Sequence, residues 1–427
     1  MDKKRNKLID LSNIIKEKIG KTSQKILGVF FIQGLIAGLG LFANVLIARF
    51  FGAEALGIYT YFFSLVVIIS TLSTFGLQNS VPILLKKKPA KTSSILQISL
   101  IISTILSLLV TTISLFVTDY LGLNPNINYF IVSVFIYVLS WAVYIIISNA
   151  ISAYNFFNLA SLFSLLVRVV FTLFIVIIVI MNGDINFLLL SFGLSVLLSL
   201  PYMLWRCMLL IPKTLENIAK QELLQVSFPF FLQGVSVFFI YHSDRFVINY
   251  FLSFELLGSY SAYSSIINII RLLSGVFPLV LMPLAATTNY DLKKSLRKLL
   301  LFLVPISGGI FIASLWLVPL FYGNEFQYGY GLPAMMALSS VLLVIYSYFN
   351  SIYLGEGEMK GKSNVMILDA FLSTIVNIIL NTIFISSFGL IGASLGTSIT
   401  LALKILLNIL SIRFLRHKNA GKRLTTD

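Results

Sequence analysis

Long stretches without a charged residue alternate with short polar segments along the whole chain. Residues 26–48, 55–85 and 92–118 are three of these stretches, and each exceeds the ~20 residues that a helix needs to cross ~30 Å of hydrocarbon. They do not alternate polar and apolar residues as the strands of a membrane barrel would. The pattern predicts an all-α, polytopic membrane protein with about twelve transmembrane helices, over residues 26–49, 56–85, 93–117, 127–150, 160–181, 185–208, 227–251, 256–287, 299–320, 332–354, 364–387 and 390–412.

The composition agrees with a membrane protein. Hydrophobic residues make up 58% and charged residues 11% of the chain, whereas soluble domains are about a quarter charged. Cys207 is the single cysteine, which excludes an intrachain disulfide and a cysteine metal site. We expect no metal and no cofactor. Because the first apolar stretch follows a strongly basic segment, we expect a retained first span and not a cleaved signal peptide.

Lysine and arginine gather on one side of the predicted membrane. They occupy the N-terminal arm, the loops after predicted helices 2, 6, 8 and 10, and the C-terminal tail. The opposite loops carry acidic residues, with only Arg49 at their edge. The positive-inside rule then predicts a cell inner membrane protein with both termini in the cytoplasm. The net charge of +15 faces anionic membrane lipids, and no nucleic-acid partner is needed to explain it.

The predicted helices divide into two sets of six. Leu8, Leu11, Ile15 and Ile19 share one face of a helix near the N-terminus, which predicts an amphipathic arm in the cytoplasmic interface; a flexible basic tail is the alternative. The predicted organisation is a basic amphipathic arm (1–25), an N-lobe with helices 1–6 (26–210), a cytoplasmic lobe linker (211–226), a C-lobe with helices 7–12 (227–412) and a basic cytoplasmic tail (413–427).

A short sequence repeats halfway along the chain. Both copies join two apolar stretches on the same predicted face, so the repeat is parallel, with a pseudo-twofold axis along the membrane normal. Duplicated halves of this kind are typical of transporters. The charges differ between copies, because Asn44 corresponds to Arg245 and Arg49 to Tyr250. The repeated residues are Glu54, Leu56, Gly57 and Tyr59, which recur as Glu255, Leu257, Gly258 and Tyr260.

Ionisable residues inside membrane spans are costly and usually face a cavity or a partner. Four bases against two acids predict a positive cavity, to which Arg49 at the outer end of helix 1 adds. Such a cavity attracts an anion, and arginine suits phosphate because its planar fork donates two hydrogen bonds. Arg271, near the middle of predicted helix 8, is the strongest candidate for the wall. The residues inside spans are Arg168, Asp244, Arg245, Arg271, Asp369 and Lys404.

Most of these charges also have a structural interpretation. Asp369 and Lys404 lie at similar depths in neighbouring helices and could form an ion pair. Arg168 could extend to the cytoplasmic surface. Asp244 could neutralise Arg245, although adjacent residues on a helix point about 100° apart and pair poorly. The sequence leaves these interpretations open beside the cavity.

Four short segments occur in order along the chain. They are Ala48-Arg49 with Phe51-Gly52 and Leu56-Gly57-Ile58-Tyr59; Asp244-Arg245-Phe246-Val247-Ile248 with Leu257-Gly258-Ser259-Tyr260-Ser261-Ala262; Tyr322-Gly323-Asn324-Glu325-Phe326; and Gly389-Leu390-Ile391-Gly392-Ala393-Ser394. Together they resemble the polysaccharide-transport family, the O-antigen-type flippases, of the multidrug/oligosaccharidyl-lipid/polysaccharide flippase superfamily.

The resemblance implies a non-enzymatic flippase with a cationic lumen between two lobes. Its substrate would be a polyprenyl-diphosphate-linked oligosaccharide, moved from the cytoplasmic to the outer leaflet for surface polysaccharide biosynthesis, with polysaccharide polymerase machinery as a partner. Asp244 or Asp369 would couple transport to H⁺ or Na⁺, unless removal of the product gives direction. The diphosphate candidates are Arg49, Arg245 and Arg271, with Arg168 and Lys404 as secondary ones.

Three alternatives stay open at this point. A multidrug exporter of the same superfamily would need acidic cavity groups for cationic drugs, opposite to the predicted charge. A flippase for peptidoglycan precursors usually carries two further helices. A membrane-embedded polysaccharide polymerase or ligase typically presents a long outer loop with catalytic Arg or His, and the outer connectors predicted here are short.

Overall fold

The computed structural model of the chain describes residues 2–120, 129–212, 214, 216–271, 274, 292–355 and 363–424. This part of the chain is helical and contains no strand, which confirms the predicted all-α class. A π turn, Leu372–Val376, joins α11 to α12. The helices are α1 (Asp2–Thr74), α2 (Leu77–Lys87), α3 (Thr92–Tyr120), α4 (Phe130–Ala153), α5 (Phe157–Ile180), α6 (Ile185–Leu210), α7 (Lys220–Phe251), α8 (Phe254–Ile267), α9 (Leu292–Phe321), α10 (Gly331–Gly355), α11 (Ser363–Phe371), α12 (Asn377–Phe388) and α13 (Leu390–Leu424).

Two glycines break the longest helical stretch. Residues 31–87 form one candidate span of 57 residues, which would be ~86 Å long if straight and so far exceeds the membrane. Gly52 has φ 84° and ψ 179° within α1, and Gly76 has φ 71° before α2. Glycine adopts such angles without steric cost. The first break separates predicted helices 1 and 2, and the second interrupts predicted helix 2, which the sequence did not indicate.

The described residues contain ten helical segments long and apolar enough to cross a membrane. Predicted helix 8 (256–287) is described only as far as residue 271 and again at 274, so the number twelve stays a prediction. The arm is helical from Asp2 and continuous with the first span, whereas its predicted apolar face lies outside the described side chains. Residues 220–226 of the predicted linker belong to α7. The lobe boundaries stay predictions.

Aromatic rings fill the centre of the N-lobe. The ring of Phe192 on α6 stacks on Tyr137 at 4.5 Å between centroids and meets Phe171 at 4.9 Å. Phe63 and Tyr59 approach the same ring from α1 at 5.7 and 5.9 Å. Offset and edge-to-face pairs at these distances are attractive beyond the apolar area that they bury. These ring contacts therefore hold helices α1, α4, α5 and α6 together as one packed unit.

The two copies of the repeat pack against each other. We call the face that carries them the junction face, and the opposite face, with Lys86, Lys87 and Lys88, the basic face. A Cβ on Gly57 would lie 1.8 Å from the carbonyl oxygen of Phe254, and one on Gly258 would lie 2.0 Å from that of Ala53. The repeat relates Gly57 to Gly258 and Ala53 to Phe254, so each contact is the counterpart of the other, as a twofold axis requires. Glycine at both positions lets the lobes touch backbone to backbone.

The lobes also meet at the basic face, through α2 and α7. Ser80 and Ser227 share a hydrogen bond of 2.6 Å, and Lys88 forms an ion pair with Glu222. A Cβ on Gly76 would lie 2.3 Å from the carbonyl oxygen of Ser227. The first turns of α7 therefore stay close to the N-lobe. Between this contact and the junction face, the lobes enclose a cavity.

Candidate functional site

A cavity of about 580 Å³ lies between α1, α5, α7 and α8. Its apolar wall includes Ile36, Phe63 and Ile269. No Asp or Glu of the described part of the chain lines it. Two guanidinium groups with several amides and hydroxyls form the polar wall, which comprises Gln33, Asn44, Tyr59, Thr60, Arg168, Arg245, Ser261, Ser264, Ser265 and Asn268.

Arg245 reaches the cavity from α7 and forms no ion pair with an acidic residue of the described ranges. Its Nη1 donates a hydrogen bond of 3.0 Å to Ser64 Oγ and lies 3.1 Å from His242 Nδ1. The neighbouring carboxylate of Asp244 accepts instead from the backbone N–H of Arg245, at 2.9 Å, and from the hydroxyl of Tyr260. The predicted neutralisation by Asp244 is therefore not formed as an ion pair. Ser64 and His242 orient the guanidinium, and the Asp244 carboxylate lies nearby without forming an ion pair with it.

Arg168 reaches the same cavity from α5 because α1 has a glycine in its path. Its Nη2 lies 3.3 Å from the position that a Cβ on Gly40 would occupy. The hydroxyl of Tyr59 lies beside the guanidinium. A larger side chain at position 40 would compete with Arg168 for this space. The structure places Arg168 on the cavity wall, and not at the cytoplasmic surface as its alternative interpretation required.

The repeat appears in the cavity as a pair of equivalent contacts. Asn44 Nδ2 donates to Ser265 Oγ at 2.8 Å. Arg245 and Ser64 are the positions that correspond to Asn44 and Ser265 with an offset of 201 residues, and their hydrogen bond is 3.0 Å long. The same contact is thus built once with an amide and once with a guanidinium. The geometry of the walls is symmetric and their charge is not.

Several wall residues were missed by the sequence reasoning. Thr60 donates to Ser261 at 2.8 Å, and these two positions are also equivalents in the repeat. The side-chain oxygen of Asn268 is buried and has no hydrogen-bond partner among the described residues. The sequence did contain a signal for these wall residues, because serines follow the second copy of the repeat at positions 259, 261, 264 and 265. Pairing them with the first copy at the 201-residue offset would have brought Ser64 and Ser265 to the interface.

Arg49 lies outside the cavity, on the junction face. Its Nε donates to the carbonyl oxygen of Phe321 at 2.7 Å and its Nη2 to that of Leu320 at 2.6 Å. These carbonyls end α9, and the last carbonyls of a helix have no partner within it. Arg49 therefore caps a C-lobe helix from an N-lobe helix and links the two lobes.

The other predicted site residues have protein partners and are not among the residues that line the described cavity. The Arg271 guanidinium carbon lies 5.6 Å from the centre of the Tyr241 ring, and its Nε lies 3.4 Å from Ser340 Oγ. Lys404 Nζ lies 3.0 Å from Asp369 Oδ2, so the structure forms the ion pair that the sequence left open. Of the predicted residues, Arg168 and Arg245 line the described cavity.

Solved transporter structures share this fold. A multidrug resistance MATE family transporter of the MOP superfamily, in an inward-facing conformation, has a TM-score of 0.60 and 15% identity, covering 90% of this chain and 95% of its own. The lipid II flippase MurJ, in an inward closed conformation, has a TM-score of 0.60 and 18% identity, covering 90% of this chain and 87% of its own. At such identities the likeness establishes the fold.

A third solved structure, that of the MATE multidrug transporter DinF-BH, gives a TM-score of 0.59 and 16% identity, covering 90% of this chain and 93% of its own. No curated protein sequence matches the chain. A family model described as "Polysaccharide biosynthesis protein" matches residues 23–289, well over half of the chain. Because this match covers more than half of a chain with a helical membrane architecture, the chain belongs to the polysaccharide biosynthesis protein family.

Proposed function

We propose that this protein is a flippase, not an enzyme, which moves a polyprenyl-diphosphate-linked oligosaccharide from the cytoplasmic to the outer leaflet. The observation that carries the proposal is the interlobe cavity, with Arg168 and Arg245 on its wall and no acidic lining residue in the described part of the chain. A diphosphate has the complementary charge. The guanidinium fork also matches phosphate oxygens with two hydrogen bonds at once.

The neutral wall suits the sugars of such a substrate. Amides and hydroxyls, among them Asn44, Thr60, Ser261 and Asn268, surround the two cations. These groups donate and accept hydrogen bonds and so match sugar hydroxyls. Membership of the polysaccharide biosynthesis protein family supports a saccharide cargo. The prenyl tail would stay in lipid, because its transfer into a hydrated cavity would expose apolar surface to water.

The way the lobes meet supports a mechanism of alternating access. The junction face is sealed by the backbone contacts of Gly57 and Gly258. Gly34 and Gly38, on the part of α1 nearer the basic face, have no neighbour among the described residues within 4 Å of a Cβ position. The cavity would load from the basic face along this part of α1, beside the contact between α2 and α7, and release its cargo after the junction opens. In the cell inner membrane, the basic face and both termini would lie in the cytoplasm, and the polysaccharide polymerase machinery would receive the product.

The direction of transport has three candidate sources, which are H⁺, Na⁺ and removal of the product. Asp244 is a coupling candidate, since its carboxylate lies beside the cavity arginine and is held by the Tyr260 hydroxyl. Opening of the junction would separate Arg245, the neighbour of Asp244, from Ser64 on the N-lobe helix α1 and so change the electrostatic surroundings of the carboxylate. A change in the protonation of Asp244 could therefore accompany the change of access.

A multidrug exporter is the second candidate, favoured by the fold shared with the MATE transporters. The charge of the cavity weighs against it. A cationic drug would enter a space with two arginines and no lining carboxylate in the described part of the chain, where like charges repel. An anionic cargo has no such penalty.

The test is transport in proteoliposomes, with a fluorescently labelled polyprenyl-diphosphate-linked disaccharide as the probe. Each charge-assisted hydrogen bond is worth about 1.5–3 kcal/mol, so Arg168→Gln and Arg245→Gln should each lower the rate about 10–100-fold. Arg206→Gln is the matched control, because Arg206 stacks on Trp205 at the end of α6, outside the cavity. Wild-type rates from both cavity variants would overturn the proposal. Export of a cationic rhodamine dye without flipping of the saccharide would favour the drug exporter.

A further inference from the structure

The ammonium group of Lys404 is fully buried inside the C-lobe, away from the interlobe cavity. Its side chain has 0% exposure and that of Asp369 has 16%. A charge in such a place is strongly destabilising unless the protein satisfies all of its hydrogen bonds. The surroundings of Lys404 Nζ meet this requirement.

Three oxygen atoms receive the three hydrogens of the ammonium group. Asp369 Oδ2 lies 3.0 Å from Nζ, Ser236 Oγ lies 3.0 Å away and Ser373 Oγ lies 2.5 Å away. The ring of Tyr346 closes the fourth side, with its centre 4.4 Å from Nζ. One carboxylate, two hydroxyls and a π face form a cage for a single monovalent cation.

Four helices and the π turn together form the cage. Ser236 comes from α7, Tyr346 from α10, Asp369 from α11 and Lys404 from α13, while the π turn supplies Ser373. Asp369 Oδ2 also accepts from Ser236 Oγ and from the Tyr346 hydroxyl, each at 3.1 Å. π turns inside helices frequently mark functional positions. Here the turn brings the hydroxyl of Ser373 to both Lys404 and the backbone carbonyl of Asp369.

We propose that this cage is a monovalent-cation site whose permanent occupant is the protein's own ammonium group, so that Asp369 neither binds nor releases a coupling ion during transport. A second cation at Asp369 would meet the Lys404 charge at short range in a poorly screened interior, which is strongly repulsive. Protonation of Asp369 would leave the buried ammonium without its counter-charge. Both events are therefore costly while Lys404 is present.

The first test measures the cage directly and does not depend on the proposed transport function. Lys404→Ala removes the equivalent of n-propylammonium and leaves an unpaired carboxylate, which should lower the Tm of the purified protein by about 5–10 °C. Added n-propylammonium should raise the Tm of this variant and leave the wild type unchanged. Tetramethylammonium, which donates no hydrogen bond, is the control. An unchanged Tm of Lys404→Ala, or equal effects of the two ammonium ions on it, would overturn the proposal.

The double variant Asp369→Asn with Lys404→Met keeps the test decisive if the single variant does not fold. Removing both charges leaves no buried ion unpaired, so the protein should keep a Tm near that of the wild type and show no response to n-propylammonium.

A second test measures transport and rests on the proposed flippase function. The same double variant should flip the labelled saccharide at the wild-type rate, equally in sodium and potassium media. Loss of transport with an unchanged Tm would assign Asp369 a coupling role and overturn the inference. Arg168→Gln and Arg245→Gln test the flippase function itself, so the two failures are distinguishable.

Discussion

The seal at the junction face depends on two positions where the chain can carry no side chain. In the present structure a Cβ on Gly57 would lie 1.8 Å from the Phe254 carbonyl oxygen. Carbon and oxygen atoms in close contact stay about 3.3 Å apart, so Gly57→Ala forces α1 and α8 about 1.5 Å apart at this point. Gly258→Ala meets the Ala53 carbonyl oxygen at 2.0 Å and should act alike. Overpacking of this kind costs about 1–3 kcal/mol.

This overpacking energy raises the free energy of the closed junction and not that of the open one. Alanine also favours the helix over glycine by about 1 kcal/mol, but the residue stays helical whether the junction is open or closed, so this gain cancels. The ratio of open to closed protein should therefore rise about 5–150-fold in either variant. Transport should slow, because each cycle has to close the junction again.

Cysteine labelling measures the opening. Ala37 lines the cavity, and Ala37→Cys in a Cys207→Ser background provides the only thiol. A membrane-impermeant maleimide added outside the cell should label it faster in Gly57→Ala and Gly258→Ala than in the parent. Gly309→Ala is the control, since no residue in the described part of the chain lies within 4 Å of a Cβ at this position. Parental labelling and transport rates in both junction variants would refute the reasoning.

Two further predictions concern residues beside the seal and the cavity. Arg49→Gln loses two hydrogen bonds to the carbonyls of Leu320 and Phe321 and should increase external labelling in the same assay, and Arg49→Lys should not restore closure because an ammonium lacks the planar fork; parental labelling of both would contradict this role. Gly40→Leu should displace the Arg168 guanidinium and raise the KM for the lipid-linked saccharide about tenfold, whereas Gly40→Ala should act weakly because its Cβ only touches Nη2 at 3.3 Å. Saccharide titrations in proteoliposomes check the second prediction, and wild-type KM values for both variants would contradict it.

The helices could be predicted from sequence because a membrane imposes a length and an apolar composition on every span. The predicted boundaries of helices 3 to 7 and 9 to 11 fall within a few residues of those observed, apart from the start of α7 and of α9. The break at Gly76 was not predicted, since no charged residue interrupts the stretch there and the polar residues on either side, such as Thr74 and Gln78, are uncharged and compatible with a continuous span. Its cause is tertiary: the backbone of α7 at Ser227 leaves no room for a Cβ at Gly76.

The site was harder to predict because the residue types alone do not show which groups contact one another in the fold. Arg49 and Arg245 are both arginines beside a repeated junction, yet one caps the end of α9 and the other lines the cavity. The groups that Arg49 caps are backbone carbonyls, which leave no trace in the residue types. The partner of Asp244 is the tyrosine at position 260, which belongs to the next helix. The pair of Asp369 and Lys404 was one of two interpretations that the sequence left open, because both residues lie at similar depths in neighbouring helices.

The equivalent contacts of Asn44 and Arg245 determine how an asymmetric cargo can sit. A twofold scaffold with identical walls would accept a ligand in either of two orientations, related by half a turn. With the guanidinium of Arg245 on the α7 wall and an amide on the α1 wall, an anionic group gains a charge-assisted hydrogen bond from only one of these two equivalent positions. Arg168 on α5 supplies the other guanidinium of the cavity, so the side chains, and not the backbone, make the two orientations of a cargo unequal in energy.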